Sequence, residues 1–320
     1  MSLFQEIRDA SRAVAARADF VRVDHDALKE YALALPADEM ATPKLDPSRH
    51  FLDRGGDTAA FIVTLDTINF GSGWFPHLRK RPGLSGYFTV ASALTDLFRA
   101  EGPLMPSRLA HLSGAECARI FGQDAESLLA YELMQRFATA LNDLGRLVID
   151  SYRGSFTTLI ESAGNSAEQL VRLLSAMPFF NDVAQFRDKR VPFYKRAQLT
   201  AADLAFAFDG QGWGRFDDLD ELTIFADNLV PHILRMDGVL RYDPDFAARI
   251  DREELIPAGS VEEVEIRAGA LHAVELMIAE LRGAGRPTTA MSIDFLLWNR
   301  GQEPRYKLAK PRHRTRTVFY

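Results

Sequence analysis

The sequence predicts a mainly α-helical protein, a single compact helical globule across residues 1–320 with at most short β-ribbons. Three observations carry this reading. Apolar residues recur at helical spacing from end to end, and Ser followed three residues later by Glu or Gln, the capping pattern of helix starts, appears at Ser2/Gln5, Ser113/Glu116, Ser166/Gln169 and Ser260/Glu263. A third observation is that alternating strand patterns with hairpin turns are scarce.

Taken in order, a helix is expected from Leu3 to Ala18, where Glu6, Arg8, Asp9 and Arg12 interleave with apolar positions. Further helices are expected at Asp24 to Ala34 and Tyr87 to Ala100. From Glu126 to Tyr152, Leu128, Leu129, Leu133, Phe137, Leu141, Leu144 and Leu147 fall mostly three and four apart, which marks a long amphipathic helix with a broad buried face. The same reasoning gives helices at Ala167 to Met177, Phe193 to Phe208, Glu221 to Arg235, Asp245 to Leu255, Val261 to Leu281 and Ser292 to Arg300. Breakers mark loops at Pro36 to Asp57, at Gly71 to Gly86 with its basic cluster Arg79, Lys80 and Arg81, at Gly102 to Ser107 and at Gly283 to Thr289. A short ribbon has room at Gly210 to Gly214 or in the tail Thr315 to Tyr320. No repeat, low-complexity tract or domain linker is visible.

Composition bounds the function. With 320 residues, 47% hydrophobic and 26% charged, the chain buries a sizeable core and is not a disordered one. Its 38 basic and 44 acidic residues give a net charge of −6, which argues against a stable nucleic-acid partner, since that calls for a dense basic face. Cys117 is the only cysteine, so no disulfide framework or cysteine metal site is expected. The opening MSLFQEIRDASRAVAARADF reads as a mature helix rather than a secretory signal. No run reaches the ~18 apolar residues that span a bilayer, so the expectation is a soluble, cytoplasmic protein with no membrane partner.

Three carboxylates stand inside apolar segments. Asp66 lies in Phe61-Ile-Val-Thr-Leu-Asp-Thr-Ile-Asn-Phe70, where a helical reading surrounds it with Ile62, Val63, Asn69 and Phe70. A carboxylate so buried must be paired, hydrogen-bonded or protonated. Asp227 lies in Leu222-Thr-Ile-Phe-Ala-Asp-Asn-Leu-Val-Pro-His-Ile-Leu234, where Pro231, lacking an N–H, cannot bond the Asp227 carbonyl and is expected to kink the helix. The competing reading is that Asp227 or Asn228 caps a helix starting there. Asp294, in Ser292-Ile-Asp-Phe-Leu-Leu-Trp298, is better explained by its residue pattern alone as an acidic residue favoured in a first helical turn.

Basic residues gather at Lys189, Arg190, Lys195 and Arg196, at Arg267, and at Arg312, Arg314 and Arg316. Such groups hold phosphate or simply solvate a surface. His50, His77, His232, His272 and His313 lack the spacing of a helical metal site, and G-x-S-x-G, GK[ST] and G-x-G-x-x-G motifs do not occur.

The chain resembles the queuosine salvage protein family through Leu65-Asp-Thr-Ile-Asn-Phe70, Gly154-Ser-Phe156, Asn165-Ser-Ala167, Lys189-Arg-Val-Pro-Phe-Tyr-Lys-Arg-Ala-Gln198, Ile224-Phe-Ala-Asp227, Val264-Glu-Ile-Arg267, Ile293-Asp-Phe-Leu-Leu-Trp298 and His313-Arg-Thr-Arg316. These occur in the family's order from about His50 to the last residue, while residues 1–50 carry little of the likeness. The resemblance implies an N-glycosidase that releases queuine from queuosine 5′-monophosphate for salvage into tRNA modification. It also implies a helical architecture similar to helix-hairpin-helix DNA glycosylases, a small nucleotide as partner, and neither metal nor organic cofactor.

By the same resemblance Asp227 is the catalytic carboxylate, stabilising an oxocarbenium-like sugar and positioning water. Asp294 and Asp66 are candidates to read the amine-linked cyclopentenediol of the base, with His50 contacting the base. Phe225, Trp74 and Trp298 are candidates for stacking, and Lys195, Arg196 and Arg267 for the 5′-phosphate. The chain departs from eukaryotic members at Gly71-Ser-Gly-Trp-Phe75 and at Asn228. Two other functions stay open on sequence: a non-catalytic nucleic-acid-binding helical protein gripping phosphates around Arg235 to Leu240, and a DNA base-excision glycosylase.

Overall fold

The computed structural model describes residues 1–36 and 44–320, so the 37–43 part of the loop expected from Pro36 to Asp57 lies outside the described residues. The chain is mainly α-helical, with two small antiparallel ribbons. It divides into two compact units. One comprises Met1–Pro43, Asp182–Lys195 and Asp220–Arg316; the other comprises Lys44–Asn181, Arg196–Leu219 and Thr317–Tyr320. Each is assembled from separated segments, which is why no linker is legible in the sequence.

The first unit is built on the helix Val261–Gly283, buried on nearly every side by residues from Val264 to Leu281. Around it pack the helices Leu3–Ala15, His25–Ala34, Val230–Met236 and Ala290–Arg300. Glu265, fully buried, accepts hydrogen bonds from the backbone N–H groups of Asp19, Phe20 and Val21 at 2.6–3.1 Å. That carboxylate fixes the chain entering the strand Val21–Val23, which pairs with Leu240–Tyr242. The second ribbon pairs Val183–Phe186 with Lys189–Pro192.

In the second unit the helix Leu128–Tyr152 buries Leu133, Phe137, Leu141 and Leu144 of the predicted face together with Val148, while Leu129 and Leu147 are half-buried and Leu128, the first residue of the helix, is exposed. It packs against Gly56–Thr67, Pro106–Leu109, Gly114–Ile120 and Phe156–Glu161. Gly145 allows the close approach: a Cβ there would stand 2.4 Å from Ala110 N and 2.6 Å from Pro106 O. Gly56–Thr67 is buried from Thr58 through Thr67, as its apolar run requires. Among the described residues no helix is long and apolar enough to cross a membrane.

All four capping serines accept the backbone N–H three residues on, and Ser113/Glu116 forms the full reciprocal box. Several expectations are corrected. Residues 222–229 are not helical, and the helix begins only at Val230. The backbone groups that a helix would have paired go instead to tertiary partners: Phe225 N–H to Asp294, and the Ala226 carbonyl to Arg267. Pro231 therefore lies in the first turn, where no N–H is missed, and it introduces no kink.

The helix holding Asp294 begins at Ala290, capped by Thr289, so Asp294 falls in its second turn and a first-turn preference does not account for it. Gly210 to Gly214 holds a 3-10 turn, Gly212–Gly214, in place of a ribbon, and no strand forms in 315–320. The ribbons that do form escaped notice for physical reasons. Val21–Val23 and Leu240–Tyr242 are distant in sequence, and the hairpin turn at Arg187-Asp188 lacks the usual glycine, with Arg187 itself at φ 52°. The Arg235 to Leu240 segment runs from a helix into a strand, and Arg235 is paired with Asp251 at 2.7 Å.

Candidate active site

In the first unit, the non-helical 222–229 segment presents Asp227. Its Oδ1 accepts from Leu229 N–H at 2.7 Å and Val230 N–H at 3.2 Å, so the capping reading describes one oxygen of this carboxylate. Its Oδ2 has no hydrogen-bond partner among the described residues, and the side chain is only half-buried. One oxygen is fixed by backbone donors and the other accepts no hydrogen bond among the described residues, while the charge of Arg312 acts on the carboxylate.

Asp294 is buried, and its Oδ1 accepts from Phe225 N–H at 2.9 Å. Burial first, then the charge of Asp227, push its carboxyl well above the usual carboxylate range; the Phe225 N–H and Lys195 oppose the shift without reversing it. Asp294 therefore favours its neutral form more than an ordinary carboxyl does. Phe225 is buried, with its ring edge-to-face on Phe295 at 5.9 Å. Trp298 is half-buried, one turn beyond Asp294 on the same helix.

Lys195 is buried at the start of the helix Lys195–Ala207. Arg267 is 1% exposed: its fork meets Asp182 at 3.0 and 2.6 Å, its Nε donates to Ala226 O at 3.0 Å, and its guanidinium stacks 4.0 Å over Phe193. The first unit therefore brings together Asp227, Asp294, Phe225, Lys195 and Arg267 of the expected residues.

The second unit holds a separate group. His50, buried, has Nδ1 2.9 Å from Asp46 O and Nε2 3.2 Å from Tyr87 Oη. A carbonyl only accepts, so Nδ1 carries the proton. Burial lowers the imidazole's pKa, so the ring is neutral and its Nε2 accepts from the Tyr87 hydroxyl. Burial, then the Asp203 and Asp66 carboxylates, raise the Tyr87 hydroxyl well above its ordinary value and keep that donor protonated. Asp66, fully buried, accepts from Asn69 Nδ2 at 3.3 Å.

Arg196 is 1% exposed and donates to the carbonyls of Asp66, Thr67, Phe179 and Val318, lying between the rings of Phe70 and Phe180. Trp74 is buried, and its indole N–H has no hydrogen-bond partner among the described residues. The basic cluster Arg79, Lys80 and Arg81 lines a surface cleft of about 300 Å³ with Arg119, and none of the expected site residues borders it.

Sequence reasoning missed Tyr87, Asp182 and Asp203. Asp203 carried a usable signal, since Leu199, Thr200, Phe206 and Ala207 surround it at helical spacing much as apolar residues surround Asp66. Tyr87 and Asp182 carried none, because their partners are distant in sequence.

A family model described as queuosine salvage protein matches residues 49–320. A Sphaerobacter thermophilus protein named queuosine 5′-phosphate N-glycosylase/hydrolase is 39% identical over 316 residues, 97% of this chain and 96% of that one. Proteins of the same name from Mus musculus and Dictyostelium discoideum are 31% identical over 98% of each chain, and 34% identical over 82% of this chain and 78% of the other.

Proposed function

This chain belongs to the queuosine salvage protein family, and from that premise we propose that it is an N-glycosyl hydrolase that cleaves queuosine 5′-phosphate and releases the base queuine. One structural observation supports the reading above the others. Asp227 offers a carboxylate with one oxygen held by two backbone donors and the other accepting no hydrogen bond among the described residues, and Asp294, its pKa raised, stands beside it.

The reaction breaks the bond between the ribose anomeric carbon and a nitrogen of the base. The bonding electrons leave with the base, which takes up a proton to become free queuine, and a water oxygen bonds to the anomeric carbon as the water gives up a proton. Positive charge builds on the sugar before water arrives, so a fixed carboxylate next to that carbon lowers the barrier by electrostatic attraction. Asp227 supplies this charge, and its free oxygen orients the water and takes its proton. The fixed oxygen matters because a carboxylate already held by Leu229 and Val230 N–H groups does not reorganise as the charge develops.

The raised pKa of Asp294 favours its acid form, which donates a hydrogen bond to an acceptor atom of the substrate as an ionised carboxylate does not. Lys195 supplies a point charge suited to the 5′-phosphate. Arg267 is placed to hold the chain rather than the substrate, since its donors go to Asp182 and Ala226.

The test is chromatographic detection of free queuine after incubating the purified protein with queuosine 5′-phosphate, the queuosine nucleoside and an ordinary purine nucleotide. Release from the queuosine nucleotide, with the ordinary nucleotide intact, supports the proposal. No release from any substrate overturns it.

A further inference from the structure

We propose that Asp182 is a positioning residue for this hydrolysis, setting the places of Lys195 and Asp227 together. The inference rests on the hydrolase reading above. Asp182 is 2% exposed and makes no use of solvent. Its Oδ2 accepts from Lys195 N–H at 3.1 Å, the first residue of the helix Lys195–Ala207. Its main-chain carbonyl accepts from Phe193 N–H at 2.9 Å and Tyr194 N–H at 3.2 Å, so the three residues that lead into that helix all bond to Asp182. Tyr194 stands at φ 47°, a left-handed conformation that a tyrosine adopts only when its surroundings impose it.

The same carboxylate also grips Arg267 through both fork nitrogens, at 3.0 and 2.6 Å. Arg267 passes the constraint on. Its Nε donates to the carbonyl of Ala226, the residue immediately before Asp227, at 3.0 Å. Residues 222–229 form no helix, and this bond and the Phe225 N–H to Asp294 bond tie the chain leading into Asp227 to distant side chains. One carboxylate thus anchors the backbone of a cation suited to phosphate at one end and, through a single arginine, the backbone of the reacting carboxylate at the other. A displacement of either by an ångström costs far more rate than binding, because transition-state charge is stabilised only at short range.

The test is a kinetic cycle on the full-length protein with Asp182→Asn, Asp227→Asn and the double variant, each assayed below its melting temperature with the folded fraction measured by circular dichroism. Asn keeps an oxygen to accept the Lys195 N–H but loses the nearer of the two carboxylate charges on Arg267, leaving Glu263 at 3.7 Å. The expected result for Asp182→Asn is a kcat per folded molecule about 10- to 100-fold below wild type, with KM changed less than about threefold. In the Asp227→Asn background the Asp182 change is expected to cost little further rate, because a positioning residue has nothing left to position.

Wild-type kcat in Asp182→Asn, or rate losses that multiply in the double variant, would overturn the proposal. If Asp182→Asn does not fold, Arg267→Lys takes its place: it keeps a cation for Asp182, withdraws the bond to Ala226, and carries the same expectation. Wild-type protein that releases no queuine rejects the hydrolase reading; an active wild type with an unimpaired Asp182→Asn rejects this inference alone.

Discussion

Burial first, and the charge of Asp227 second, push the Asp294 carboxyl toward its protonated form. The sign of the consequence follows from linkage. The folded chain holds a proton on Asp294 at a pH where the unfolded chain has released it, so this contribution to stability is whole below about pH 4 and is lost as pH rises through the folded value. Asp294→Asn copies the neutral acid and does not titrate. Thermal melts between about pH 4 and pH 8 are expected to show the variant gaining on wild type as pH rises. Parallel curves would contradict a raised pKa at Asp294.

Arg196 provides a second prediction. Four backbone carbonyls receive its guanidinium, which a lysine's single ammonium cannot satisfy together. Arg196→Lys is expected to lower stability by about 2–4 kcal/mol in denaturant titration, with KM for the nucleotide unchanged in the folded fraction. A tenfold rise in KM at unchanged stability would instead make Arg196 a phosphate contact.

The His50–Tyr87 pair is tested by nitrogen NMR. Because burial depresses the imidazole's pKa, its contribution to stability is present above about pH 6.5 and is lost as pH falls through the folded value. At pH 6 the His50 signals are expected to be those of a neutral ring protonated at Nδ1. Tyr87→Phe removes the donor to Nε2 and should cost about 1 kcal/mol in thermal or denaturant melts. A doubly protonated His50 at that pH would refute the assignment.

Gly145 carries a prediction about the scaffold alone. An added methyl meets the backbone of Ala110 and Pro106, neither of which yields as a side-chain tip would. Gly145→Ala is expected to destabilise by about 1–3 kcal/mol in denaturant titration while leaving kcat per folded molecule unchanged.

The scaffold was largely legible because its signals are local. The Leu128–Tyr152 helix follows from its own periodicity, and the serine caps from residues three apart. The region around Asp227 was not, because its conformation is decided by Asp294 and Arg267, 69 and 41 residues away along the chain. Apolar residues at 222, 225, 229 and 233 imitate a helix where the chain in fact gives its backbone groups to distant side chains. The same cause hid Asp182, whose surroundings in sequence are unremarkable and whose partners are Lys195 and Arg267. Carboxylates in apolar runs were the most informative single signal: Asp66 and Asp294 are both buried, and Asp203, which shares the pattern, is buried too.

The central claim is that the charge of Asp227 lowers the barrier to cleavage. Asp227→Asn retains an oxygen to accept from Leu229 and Val230 N–H and removes the charge together with the second oxygen, which becomes an amide NH2 that takes no proton. Single-turnover release of queuine from queuosine 5′-phosphate, measured beside nucleotide binding and thermal stability, tests it most directly. The expected result is a rate at least about 10³-fold below wild type with binding and melting temperature nearly unchanged. Release within a few-fold of wild type would contradict the account and move the reacting carboxylate elsewhere.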